Sequence, residues 1–268
     1  MGGFRLHQHG SLQYYTIDAF EQTGLVKHCF TTRHGGVSGN EYASMNLRMN
    51  CSDDRNNVLK NYDIICKEIG VNYQNLVCSN QVHDDKIYTA EKKDMGKGIV
   101  RPSDIESADG LICREAGVPI CTVFADCVPL YFLDPQKRVI ALSHSGWKGT
   151  VKRIGQKTIQ KMHDEYGCQP DDILAAVGPS IGVCHFEVGD EVAEVFDREF
   201  GASVVQRYRK SYHVDLQKAV LMQFDEAGLK REHVTCADIC TYCNSDLLFS
   251  HRATGGRRGN LAAIMELK

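Results

Sequence analysis

The chain has 268 residues, with 31 Lys and Arg against 34 Asp and Glu, for a net charge of -3. A 43% hydrophobic and 24% charged composition is ordinary for a globular protein and excludes disorder as the main state. The slightly acidic balance gives no reason to expect nucleic acid or an anionic membrane as partner. No stretch approaches the ~18 apolar residues a membrane span needs. The unusual counts are 12 cysteines and 11 histidines in a chain too well supplied with core for a disulfide scaffold.

The opening MGGFRLHQHGSLQYY carries no apolar run, so no secretory signal is expected, and Leu6 breaks the myristoylation pattern after Met-Gly. The expected compartment is the cytosol, where thiols stay reduced. The first strand-like run is Val26–Thr32. A helix follows, starting near Ser52 as N-cap, with Val58, Leu59, Tyr62, Ile65 and Ile69 at helical spacing and Gly70 ending it. Strand-like runs come next at Asn75–His83, Lys86–Ala90, Gly110–Arg114, Ile120–Asp126, Leu130–Leu133 and Val139–His144. A second helix is read from Val151 through Tyr166, stopped by Gly167. A strand at Ile173–Val177, a helix from Asp190 to Phe200, a helix from Asp215 to Ala227 and strands at Val234–Ile239 and Leu261–Leu267 complete the chain. No linker or repeat marks a boundary, so 1–268 reads as a single domain. Strands outnumber helices and run consecutively from Gly110 to His144, which argues for an α+β fold with mixed sheets rather than regular βαβ alternation.

The segment Ala125–Trp147, ADCVPLYFLDPQKRVIALSHSGW, carries the chemistry. Asp134-Pro135-Gln136-Lys137 suits a tight turn between two apolar runs, so an antiparallel hairpin is expected. With Asp134 opposite Lys137, paired residue numbers sum to 271, and Cys127 then faces His144 directly. Opposed side chains share a face of the sheet, at a Cβ separation of about 5 Å. A thiolate and an imidazole so placed can both ligate zinc, or the histidine can lower the thiol pKa and make Cys127 a nucleophile. The bland alternative is a small buried cysteine beside a hydrogen-bonded histidine. Trp147 and two glycines follow, leaving room for a ligand. His83, before an Asp-Asp turn in SNQVHDDKIY, is the candidate third ligand; three protein ligands would leave a fourth position open, as catalytic zinc requires.

FTTRHGGVSGNEYASMNL (Phe30–Leu47), NQVH (Asn80–His83), SADGLI (Ser107–Ile112), ADCVPL (Ala125–Leu130), HSGWKGT (His144–Thr150), VGPSIG (Val177–Gly182) and CTYCNSDLLFSHR (Cys240–Arg252) occur in order. Together they resemble the YfiH-like or laccase-domain family, also described as polyphenol oxidases and as purine nucleoside phosphorylases. The resemblance implies a layered α/β/β/α fold and a zinc ion held by His83, Cys127 and His144, which also become the catalytic residues. It implies phosphorolysis of adenosine, inosine and methylthioadenosine, deamination of adenosine, and an older description as copper-dependent phenol oxidases. The partners implied are a purine nucleoside and phosphate. Zinc polarises groups and activates water; for phosphorolysis, phosphate would attack the ribose C1′ as the purine leaves. Arg33, in the TTRHGGVS loop, is the first choice for holding phosphate, against the bland reading of a solvated arginine in a glycine-rich turn. Asp126 should point away from Cys127 by strand alternation.

Other patterns compete. Cys236, Cys240 and Cys243 have the spacing of a radical iron–sulfur site, but only 25 residues follow Cys243. His185-Phe186-Glu187 with a later Cys240-x-x-Cys243 echoes the zinc nucleobase deaminases, without the proline expected before the first cysteine. A structural zinc on Cys240 and Cys243 would need two more ligands, which Cys236 and His251 could supply, and strand cysteines packed in a core are the simpler reading. The single His-x-His, His7-Gln8-His9, lies in an N-terminal segment read as mobile, so multicopper chemistry has little support, although copper could occupy the zinc site. His251, Arg252, Arg257 and Arg258 read as a basic surface turn or an anion loop. Two further functions stay open: a metal-free Cys/His hydrolase or deamidase using Cys127 and His144, and a non-catalytic metal-binding protein.

Overall fold

The computed structural model describes residues 3–208 and 211–268. Two six-stranded mixed sheets form its centre. The first is ordered Phe4–His9, Leu12–Ile17, Val26–Thr31, Leu261–Leu267, Ile120–Phe124 and Val77–Cys78, antiparallel except for its last pair. The second is ordered Val234–Cys236, Leu174–Val177, Val128–Asp134, Val139–Ser145, Gly110–Cys113 and Ile87–Thr89, with a parallel pair at each edge. A small antiparallel sheet joins Glu187–Val188, Ser211–Val214 and Val205–Tyr208.

The two large sheets pack face to face over a shared core of Phe30, Phe124, Tyr131, Leu133, Leu142 and Met265. Helix Arg55–Glu68 covers the outer face of the first sheet through Val58, Tyr62, Ile65 and Cys66. Helices Ile154–Tyr166, Asp190–Phe200 and Leu216–Glu226 cover the outer face of the second. The result is the layered α/β/β/α arrangement anticipated above. Strands Val128–Asp134, Val139–Ser145 and Leu261–Leu267 are buried along their whole length. That explains their unbroken apolar runs: with both faces covered, no polar alternation is tolerated. Among the described residues, no helix is long and apolar enough to cross a membrane.

Several boundaries differ from the sequence reading. Asp54, not Ser52, caps the first long helix, its carboxylate accepting from the Asn56 N–H at 2.8 Å. The helix read from Val151 to Tyr166 is two, Trp147–Val151 and Ile154–Tyr166, broken where Arg153 takes the left-handed conformation at φ 63°. The run read as a strand over Asn75–His83 contains only Val77–Cys78; beyond it the chain loops to the site. Val234–Ile239 keeps its strand only to Cys236. The N-terminal segment read as mobile is an ordered edge hairpin, with His7 Nε2 2.7 Å from Thr16 Oγ1.

Candidate metal centre

The central hairpin forms, with a register two residues from the predicted one. Paired numbers sum to 273, so Asp134 faces Val139, Tyr131 faces Leu142 and Pro129, not Cys127, faces His144. The Asp134 carboxylate accepts from the N–H groups of Gln136 and Lys137 at 2.8 and 2.9 Å. The chain returns only after Arg138 adopts φ 54°, which lengthens the turn. Because the shift is two residues, every side chain keeps its face. His144 still points into the inter-sheet layer, and Cys127, just ahead of its strand, reaches it diagonally. Asp126 precedes Cys127 at φ 84°, and its carboxylate accepts from Thr241 Oγ1 at 2.6 Å and the Arg252 N–H at 2.7 Å. It therefore fixes the turn rather than the site.

His83 arrives from the opposite side, on the loop after Val77–Cys78. Asn80 and Gln81 fasten this loop: Asn80 Nδ2 donates to the Glu106 carbonyl at 2.7 Å, and Gln81 bonds the Val123 carbonyl and N–H at 2.8 and 2.9 Å. His83 itself holds a left-handed backbone at φ 61°. The ligand atoms of His83, Cys127 and His144 all lie within 4.8 Å of one another. The two imidazoles meet edge to face at 4.9 Å between centroids.

The sequence reading passed over the residue that assembles them. Asp109, fully buried in the SADGLI segment, places Oδ1 2.8 Å from His144 Nδ1. Its carboxylate also accepts the N–H groups of Val82, His83 and Asp84 at 3.0, 3.0 and 2.9 Å. One side chain thus orients both histidines. Burial alone would raise the Asp109 carboxyl, but His144 and these backbone N–H groups hold it below its ordinary value. Burial likewise opposes ionisation of Cys127, yet the His144 and His83 rings bring the thiol down to about 6. Burial would depress His144, and Cys127 and Asp109 raise it to about 9. Each of the two groups thus favours the charged form of the other.

A metal fits this donor set. With Nδ1 of His144 bound to Asp109, Nε2 is left for a ligand, the arrangement that metal-binding histidines generally adopt. Gly146 leaves the space: a Cβ there would lie 3.1 Å from His83 Cδ2, 3.2 Å from Cys127 Sγ and 3.6 Å from His144 Cε1. Two nitrogens and one sulfur match zinc, with a fourth position open.

The three side chains line a cavity of about 600 Å³, a size suited to a small-molecule ligand. Arg33 is not among its lining residues. Its guanidinium donates to the Ala43 carbonyl at 3.1 and 3.2 Å and the Ser245 carbonyl at 2.8 Å, and lies over the Phe249 ring at 4.8 Å. The expected phosphate ligand thus braces a loop instead. The cavity's cations are Arg48, Arg55, Arg101 and Arg258. Arg55 and Arg101 are bonded to backbone carbonyls. Arg258 comes from the turn read as surface; its guanidinium donates to Asn260 Oδ1 and lies 3.2 Å from His251 Nδ1, and its Nε is buried without a partner.

The description "multi-copper polyphenol oxidoreductase laccase" belongs to a family model that matches residues 27–268. The chain belongs to this family. A purine nucleoside phosphorylase YlmD of Bacillus subtilis is 31% identical over 89% of this chain and 87% of its own. The crystal structure of a hypothetical protein YfiH from Bacillus licheniformis superposes with a TM-score of 0.92 at 28% identity, covering 99% of both chains. That of YlmD from Geobacillus stearothermophilus gives 0.90 at 30% identity over 98% of both.

Proposed function

We propose that this protein is a zinc-dependent purine nucleoside phosphorylase that also deaminates adenosine. The carrying observation is the donor set His83, Cys127 and His144, braced by Asp109 and open to a cavity of nucleoside size. The names of the relatives support the substrate class. A zinc ion at this site would act as a Lewis acid towards the reacting groups. The chain's own residues do the rest. Asp109 holds the His144 tautomer and the His83 loop. Arg258 and Arg48 hold phosphate for attack on the ribose C1′ while the bond to the purine breaks. Arg258 is the first choice, because it lines the cavity and its guanidinium bonds side chains, those of Asn260 and His251, rather than backbone carbonyls.

Copper-dependent phenol oxidation is at most a side activity of the same site. Among the described residues, neither group of metal-capable side chains has the several paired histidines of a multicopper cluster. The deciding experiment is metal analysis together with product detection from inosine and phosphate. Release of hypoxanthine that depends on phosphate and is lost in His83→Ala supports the reading. Metal-replete protein that neither cleaves inosine nor deaminates adenosine overturns it.

One observation favours a second reading. Cys127 Sγ and a His144 ring nitrogen lie within 4.8 Å, and the histidine lowers the thiol, an arrangement a Cys/His hydrolase or deamidase would also use. That reading requires a covalent adduct at Cys127 and turnover that survives chelators.

A further inference from the structure

Outside the cavity, a second group of soft donors comes together. Cys184, His185, Cys240 and Cys243 place their ligand atoms within 4.8 Å of one another. Cys184 Sγ lies 3.7 Å from Cys243 Sγ and 3.2 Å from His185 Nδ1, and Cys243 Sγ lies 3.3 Å from the same nitrogen. The residues are brought from two distant segments by the bridge between Ser180 and Cys240. Neither Cys236 nor His251 takes part; Cys236 lies in the edge strand Val234–Cys236 and packs against the core. Core packing does not describe the others, since Cys184 and Cys243 are exposed.

The surroundings are built for a thiolate cluster. The Gly182 N–H donates to Cys240 Sγ at 3.2 Å, an outer bond of the kind that holds a ligating sulfur in place. A Cβ on Gly182 would meet Cys184 Sγ at 3.2 Å and Cys240 Sγ at 3.5 Å, so the glycine keeps this side clear. The His185 ring stacks on Tyr242 at 3.9 Å and 15°, with Nδ1 turned to the sulfurs. Arg252 donates to the His185 and Glu187 carbonyls at 3.2 and 3.1 Å and fixes the backbone that carries the ligands.

We propose that Cys184, His185, Cys240 and Cys243 bind a second, structural zinc ion that clasps the turn around Gly182 to the turn around Tyr242. Three thiolates and one imidazole form a closed tetrahedral set of the structural type, with no position left for water or substrate. That closure separates it from the deaminase echo in the sequence: Cys184 fills the position that chemistry would need, and Glu187 is exposed. On binding, the thiols lose their protons to solvent. The clasp is tied to the first site through Thr241, between two of its ligands, which donates to Asp126, the residue before Cys127.

The test is zinc stoichiometry, read on a variant in which the first site is removed and all four clasp ligands are intact. His83→Ala combined with Cys127→Ala, reconstituted with zinc alone, should retain one zinc per chain, released when the thiols are blocked by a mercurial. Cobalt in the same variant should give the intense thiolate charge-transfer absorption of a tetrahedral three-sulfur site. Adding Cys184→Ser should abolish both. A folded double variant with no zinc overturns the proposal. So does a Cys184–Cys243 disulfide in protein purified without reductant, seen as a linked peptide two hydrogens short. Iron with acid-labile sulfide in place of zinc overturns it as well.

Discussion

Asp109 and His144 are joined twice: the carboxylate meets Nδ1 at 2.8 Å, and the Asp109 carbonyl accepts the His144 backbone N–H at 2.6 Å. The same carboxylate caps the loop that carries His83. Asp109→Asn keeps the shape but puts an amide where three N–H groups need an acceptor. Metal affinity should fall about 10- to 100-fold, the usual cost of losing a carboxylate behind a ligating histidine. Competition with a chelator of known affinity measures it. Wild-type affinity would show that the carboxylate only braces the fold.

Gly146→Ala isolates the space at the site from backbone strain. Gly146 has φ -72°, which alanine adopts freely, so the added methyl acts only through its contacts with His83 and Cys127 at 3.1 and 3.2 Å. The variant should fold, with an unchanged circular dichroism spectrum, yet hold well under half of the wild-type metal at the first site. Full occupancy would mean that the three ligands have room to move apart.

How far the site could be read from sequence depended on the range of the interaction. Cys127 and His144 were legible because a turn and two apolar runs are local, and the two-residue error in register left their faces unchanged. The turn length was not legible: it is set by how the Asp134 side chain folds back and by Arg138 entering the left-handed region. Asp109 escaped notice because it lies 35 residues from His144, and only sheet pairing reveals their contact. The carbonyl partners of Arg33 were not legible, because Ser245 lies 212 residues away. Cys243 was read as a core residue for the same reason, since its neighbours His185 and Cys184 are 58 and 59 residues away.

Arg33 and Arg258 should separate cleanly. Arg33→Gln leaves the Ser245 carbonyl and part of the Ala43 interaction unpaired, costing about 1–3 kcal/mol of stability without changing the KM for phosphate. Arg258→Gln should raise that KM about tenfold or more, the effect of losing a charged hydrogen bond to an anion. Urea unfolding and phosphate titration of nucleoside cleavage check the pair. A raised phosphate KM in Arg33→Gln, with Arg258→Gln unaffected, would return the anion site to the TTRHGGVS loop.

Away from the site, His28 should make stability fall with pH. Its ring is buried, and burial lowers its pKa to about 4. Nε2 accepts the Ile17 N–H at 2.8 Å, so it must stay unprotonated to keep that bond. In the unfolded chain the same ring titrates near 6.5. Between these values the unfolded state binds the extra proton, so stability is fully present above about 6.5 and is lost as pH falls towards 4. From pH 7 to about 4.5 the loss from this group is about 2.5 kcal/mol. In His28→Gln the amide oxygen can still accept from Ile17, but nothing titrates. Urea unfolding at both pH values should therefore show a smaller acid destabilisation in the variant than in wild type, by about that amount. Equal losses would place the His28 pKa near its ordinary value in the folded protein.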